Sequence, residues 1–117
     1  MTLVSRYRHW AGFFAGLAIA ASPVALSAQT VDVEAAEALL KANKCAKCHV
    51  LDRKKDGPSY KEIAKERAGK ADSENALVKH LTTSPKVKID GVEEEHKNIK
   101  AKNEAEIRNV VRYILTR

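Results

Sequence analysis

Beyond about residue 30, the apolar positions of this chain recur three and four residues apart, the spacing of a helix with one buried face. Four stretches carry the pattern. The first runs from Val33 to Asn43, with Asp32 placed as N-cap and Ala36, Leu39 and Leu40 on one side. The second follows Ser59-Tyr60-Lys61-Glu62, which has the Ser-x-x-Glu form of a capping box. It spans Tyr60 to Arg67, with Tyr60, Ile63 and Ala64 at helical spacing, and Gly69 stops it. Asp72 or Ser73 caps a third helix over Glu74 to Thr83, with Leu77, Val78 and Leu81 inward, and Ser84-Pro85 ends it. In the fourth, Asn103 and Glu106 form a cap pair, and Ile107, Val110, Val111 and Ile114 make an i, i+3, i+4, i+7 stripe. Residues 86–102 read as a charged connection with few apolar positions. No run alternates as a strand does, and no segment repeats. The pattern predicts an all-α domain of four helices.

The first 28 residues follow another plan. Residues 1–10 carry Arg6, Arg8 and His9 and no acid, and Ala11 to Ala21 is an unbroken run of small or apolar residues. Ser22-Pro23 breaks it, and Ala25-Leu26-Ser27-Ala28 supplies small residues for cleavage. These are the three regions of a secretory signal peptide. Cutting after Ser27 puts Ala25 and Ser27 at the recognised positions; cutting after Ala28 fits less well. A retained anchor is the competing reading, but the apolar run is short of the about 20 residues a span needs. Tyr7 separates Arg6 from Arg8, so the twin-arginine signal is not matched. The expectation is a cleaved signal peptide over 1–28 and a domain over 29–117, exported to the periplasm without stable membrane insertion.

Removing the leader changes the composition. Trp10, Phe13, Phe14 and Met1 all lie in it, so Tyr60 and Tyr113 are the aromatics that remain. So small a helical domain with so few large side chains has little apolar volume for a core. A cofactor would fill the interior. The net charge of +6 loses Arg6 and Arg8, leaving 19 basic against 15 acidic residues, or +4. Both signs are interspersed and no aromatics interleave the basic residues, so nucleic acid is not the expected partner.

The run Cys45-Ala46-Lys47-Cys48-His49 is the attachment signature of c-type haem. Thiols three positions apart can add to the vinyl groups on one porphyrin edge, and the adjacent histidine is then carried over the face. A zinc site would need two further ligands, and no second cysteine pair exists. A thioredoxin-like redox pair would need a βαβ setting. A disulfide across so short a loop would stabilise little.

Taken together, these segments resemble the small bacterial class I cytochromes c, which carry one haem. The likeness rests on the first helix running into Cys45–His49, then on Asp56-Gly57-Pro58-Ser59-Tyr60-Lys61-Glu62-Ile63-Ala64. Gly69-Lys70 with the third helix and the closing Ile107-Arg108-Asn109-Val110-Val111-Arg112-Tyr113-Ile114-Leu115 complete it. The resemblance implies a class I cytochrome c fold of four helices packed around one covalent haem c. It implies that the first and last helices cross, that His49 is the proximal iron ligand, and that the Pro58 carbonyl accepts a hydrogen bond from its other ring nitrogen. Such bonds fix the tautomer and strengthen the ligand.

One departure is informative. Members usually supply a methionine from the connection before the last helix as sixth ligand, and this connection holds none. It reads Glu93-Glu94-Glu95-His96-Lys97 instead, which makes His96 the candidate distal ligand and the iron bis-histidine. A solvated histidine with an open or water-bound sixth position is the competing reading. His80, placed on the outer face of the third helix beside Lys79, is the poorer candidate. Glu93 and His96 also have the spacing of carboxylate metal sites, which need two such motifs. A second imidazole, with the acid run Glu93–Glu95 beside it, should lower the reduction potential relative to methionine-ligated relatives.

Lys41, Lys44, Lys47, Arg53, Lys54 and Lys55 cluster around the attachment run, where they could steer docking onto an acidic redox protein or serve only solubility. The expected function is one-electron transfer between redox protein partners, as a monomer or a small subunit of an oxidoreductase, and not as an enzyme. The alternative is a haem protein that binds or senses a diatomic ligand at an open or displaceable position; a peroxidase-like enzyme would further need distal catalytic groups.

Overall fold

The computed structural model describes residues 29–117, so the expected leader lies outside the described residues. Helix α1 spans Val33–Ala42 and leads to a three-residue 3-10 turn, Cys45–Lys47. Helices α2 (Tyr60–Arg67) and α3 (Ser73–Thr82) follow. Strands β1 (Lys86–Ile89) and β2 (Val92–Glu95) then precede helix α4, Glu104–Leu115. The fold is mostly helical, as the spacing predicts.

The capping chemistry read from the sequence is present at three helix starts. Asp32 accepts from the Ala35 amide at 2.9 Å, and Asn103 accepts from the Glu106 amide at 3.1 Å. At α2 both halves of the capping box form: the Ser59 amide donates to Glu62 Oε2 at 2.7 Å, and the Glu62 amide to Ser59 Oγ at 3.1 Å. These bonds to Ser59 hold the Glu62 carboxyl below its usual range. Asp72 occupies the α3 cap position without a side-chain bond, while Ser73 Oγ donates back to the Arg67 and Lys70 carbonyls.

Helix α4 packs against each of the other three helices. Val110 and Val111 are fully buried, and Ile107, Tyr113 and Ile114 join Ala36, Leu40, Tyr60 and Ile99 in one core. Tyr113 donates its hydroxyl to Glu37 at 2.9 Å, tying α4 to α1. Asn109 makes two bonds with the Asp32 backbone, and Asn43 two with that of Lys100. Leu39, Ile63, Val78 and Leu81 lie against the core only partly covered, as expected where protein alone does not fill the interior.

Glu74 joins α3 to α4 by accepting from Arg112 at 2.9 Å and Arg108 at 3.0 Å. Arg112 first, and Arg108 after it, hold the Glu74 carboxyl below its ordinary value of 4.5, against an opposing effect of burial. A depressed carboxylate contributes stability above its unfolded value that is lost as pH falls through the folded one. Glu74→Gln should therefore cost about 1 kcal/mol at neutral pH, seen as a thermal midpoint about 4–8 °C lower. The difference should shrink as pH drops below 4.5. Equal losses at neutral and acid pH would reject this account.

Residues 86–102 differ from expectation. They hold an antiparallel hairpin in which Lys86 pairs with Glu95, Val87 with Glu94, Lys88 with Glu93 and Ile89 with Val92. The turn is Asp90-Gly91 with φ of 50° and 82°, the conformation that Asp-Gly favours because it matches strand twist. Alternation is visible only in Lys86-Val87-Lys88-Ile89, since β2 is Val92 followed by three glutamates.

Candidate haem site

Lys44 leaves α1 in a left-handed conformation, φ 57°, and turns the chain directly into the 3-10 turn. Bonds from Cys48 N–H and His49 N–H to the Cys45 carbonyl, at 3.2 and 2.9 Å, close that turn. Both thiols therefore sit on one short arc with His49 next to them. They are half-buried and not bonded to each other, and burial pushes the Cys45 thiol up.

The following loop folds back on this arc. Gly57 N–H donates to the Cys48 carbonyl at 3.0 Å, Tyr60 N–H to Val50 at 2.9 Å, and the Lys55 ammonium to Ala46 at 3.2 Å. The Pro58 carbonyl is thereby set 2.7 Å from His49 Nδ1. A carbonyl can only accept, so Nδ1 carries the proton and Nε2 presents its lone pair. Gly57 supports the ring from behind: a Cβ there would lie 2.5 Å from His49 Cε1 and 2.9 Å from Nδ1. Tyr60 lies nearly parallel to the same imidazole, with centroids 6.1 Å apart and planes 19° from parallel.

His96 comes to this site through the hairpin. Its amide donates to the Pro85 carbonyl at 2.8 Å, which continues the strand register by one pair. Pro85 has no N–H to return, so the ladder stops there. Opposed residues of a hairpin share a face, which puts His96 with Pro85, Val87, Ile89, Val92 and Glu94. Glu93 and Glu95 fall on the other face with Lys86 and Lys88, and Glu93 is bonded to Lys86 at 2.8 Å. Ile99 N–H donates to Leu81, and Asn98 Oδ1 accepts from the Ser84 amide at 2.7 Å, so the segment after His96 is clamped to the end of α3.

The His96 and His49 ring centroids are 6.1 Å apart. His96 Nδ1 is buried with no hydrogen-bond partner. His80 is not on an outward face: its ring meets that of His96 at 4.5 Å, with planes 60° apart. It stands three positions after buried Leu77, and positions three apart share a helix face. Burial, and then the His96 and His49 imidazoles, lower the pKa of His80; burial, and then His49, lower that of His96 against an opposing effect of the Lys97 backbone.

A haem suits this donor set. Both thiols are free on one arc, His49 offers Nε2, and the half-buried His96 ring lies near it, tilted by 46°. Metal–imidazole bonds are about 2.0 Å, which separates the centroids of two opposed rings by roughly 6 Å. Among the described residues, no cluster of three or more His, Cys, Asp or Glu could hold a bare metal ion.

Comparison with known proteins gives the same picture. The chain is 39% identical over 57 residues to cytochrome c-551 of Stutzerimonas stutzeri, covering 49% of this chain and 55% of that protein. It is 39% identical over 56 residues to cytochrome c-551 of Pseudomonas aeruginosa, covering 48% and 54%. It thus spans about half the length of these curated relatives. The crystal structure of the class 1 cytochrome MtoD from Sideroxydans lithotrophicus ES-1 superposes with a TM-score of 0.70 at 48% identity, over 74% of this chain and 97% of that one. Nitrosomonas europaea cytochrome c552 superposes with a TM-score of 0.56 at 25% identity, over 68% and 96%. The sequence profile of the Cytochrome c family matches residues 33–117, and the chain belongs to that family and carries one covalently attached haem c with its iron.

Proposed function

We propose that this protein is a periplasmic carrier of single electrons between redox proteins, with Cys45 and Cys48 as the thioether attachments and His49 and His96 as the two iron ligands. The observation that carries the reading is the pair of half-buried imidazoles, 6.1 Å between centroids, in a chain whose described residues contain no methionine. When bound, the haem supplies a ferric–ferrous couple. The protein's part is to hold its ligands still. Pro58 fixes the tautomer of His49, Gly57 leaves room for its ring, and the hairpin fixes His96 by register. With His49 and His96 both bound to the iron, no position would be left open for a substrate, which supports a carrier rather than an enzyme.

Imidazole in place of methionine sets the potential below that of methionine-ligated cytochromes. Glu94, on the His96 face, adds to that direction by favouring the more positive ferric centre. Glu93 contributes less, since Lys86 neutralises it. The expected partner is a redox protein with an acidic docking surface. Lys41, Lys44, Lys47, Arg53, Lys54 and Lys55 are all exposed around the attachment turn, and among the described residues none is in a salt bridge. Residues 1–28 would act as the cleaved export signal. Among the described residues no helix is long and apolar enough to cross a membrane.

A second reading, reversible binding of a diatomic ligand, draws on one observation. His96 Nδ1 has no partner, and an imidazole lacking that anchor is the weaker ligand. Absorption spectra with and without carbon monoxide separate the two. Electron transfer predicts low-spin bands in both oxidation states that carbon monoxide leaves unchanged. A high-spin ferrous form that takes up carbon monoxide at once would overturn it in favour of the second.

A further inference from the structure

We infer that His80 is the positioning residue for the distal imidazole, holding the His96 ring by edge-to-face contact in place of a hydrogen bond. The inference rests on His96 being an iron ligand, and it adds how that ligand is oriented.

The two histidines at the site are held differently. His49 is fixed by its Nδ1 bond to Pro58 and by the backbone at Gly57. His96 Nδ1 is as buried as a partnered nitrogen would be, yet has no partner. Its backbone is fixed by the bond to Pro85, but that bond leaves the ring free to turn about its own side-chain bonds. Of the rings around it, His80 comes nearest, at 4.5 Å and 60°, an edge-to-face arrangement, against 6.1 Å for His49. Aromatic rings prefer this geometry at such separations, because the positive edge of one meets the negative face of the other. Both rings are half-buried in one place, where α3 ends and the segment after the hairpin is clamped to it.

His80 is itself well supported. It lies in the last turn of α3, whose end is tied to the same segment by the Leu81–Ile99 and Ser84–Asn98 bonds. The two rings therefore keep their separation as one unit. Loss of a group that orients a metal-bound histidine typically weakens the bond about 10–100-fold.

The test uses the haem-loaded protein with His80→Ala and His80→Phe. Phenylalanine keeps a flat ring and its edge but has no nitrogen. His80→Ala should remain six-coordinate and low-spin, but its ferric electron paramagnetic resonance g values should shift as the His96 plane turns. Carbon monoxide should replace His96 in the ferrous form about tenfold faster or more. His80→Phe should keep the parent values of both. If His80→Ala keeps them too, or if the phenylalanine variant changes as much as the alanine one, ring contact does not position His96. Where the alanine variant accumulates poorly, His80→Gln, which keeps polarity and bulk without a flat ring, makes the same comparison. The spectrum of a His96 variant tests the ligand separately, so failure here with success there rejects only the role of His80.

Discussion

Replacing His96 with alanine is expected to convert the low-spin ferric protein to a high-spin one and to let the ferrous form bind carbon monoxide immediately. Apart from His80, whose ring lies 4.5 Å from that of His96, the structure offers little to fill the vacated position. The carboxylates of the hairpin are exposed, and the described residues include no methionine. The reduction potential should rise, because the ferric state loses a strong nitrogen donor. The fold should survive, since the bond from residue 96 to Pro85 and the anchor at Ile99 are made by backbone. Circular dichroism of the variant checks that point alongside the absorption spectrum. A variant that stays six-coordinate and low-spin would mean another ligand, and His80, already against the His96 ring, is then the residue to remove next.

A comparable loss is expected on the proximal side from Gly57→Ala. The added carbon would come within 2.5 Å of His49 Cε1 and touch both ring nitrogens closely. The ring cannot simply rotate away without breaking its 2.7 Å bond to Pro58. The loop cannot retreat easily either, because Gly57 N–H is bonded to the Cys48 carbonyl within the attachment turn. Overpacking of this kind costs about 1–3 kcal/mol, and here it falls on His49, the proposed iron ligand. The variant should accumulate with reduced haem content, and what is loaded should show a mixed-spin ferric spectrum and a lowered thermal midpoint. A fully loaded variant with the parent spectrum would show that the loop yields at no cost to His49.

The sequence made the helical frame legible because caps and stripes sit where local chemistry alone decides. Asp32, Ser59 with Glu62, and Asn103 form the bonds their spacing predicts. The stripe of Ile107, Val110, Val111 and Ile114 is the buried face of α4. Cys45, Cys48 and His49 were readable because covalent attachment demands a fixed spacing. The Pro58 contact followed from family resemblance, and its geometry is as that resemblance implies.

The hairpin was missed because one of its strands carries almost no apolar pattern. In β2 the paired residues are glutamates facing lysines and Val87 across the ladder, so charge pairing and the turn sustain it more than burial. Two local signals mark it, the alternation of Lys86-Val87-Lys88-Ile89 and the Asp90-Gly91 pair, whose preference is for the tight hairpin turn. Leu77 and Leu81 inward put His80 outward beside Lys79, but three positions after Leu77 it still borders the buried face, where its ring reaches His96. Contact between His80 and His96 joins a helix to a segment beyond a hairpin, and no local pattern encodes such a meeting.

The hairpin also places His96, the proposed distal ligand, under a rule of parity. Along a strand, side chains alternate between faces, so moving His96 one position reverses its direction, while moving it two restores it. The helices that bury the core take no part in this count. A lineage could lengthen or shorten the hairpin in steps of two, altering which charges lie nearest the haem, while the same histidine still faced His49. A single-residue change would instead exchange His96 for the face that carries Lys88 and Glu93.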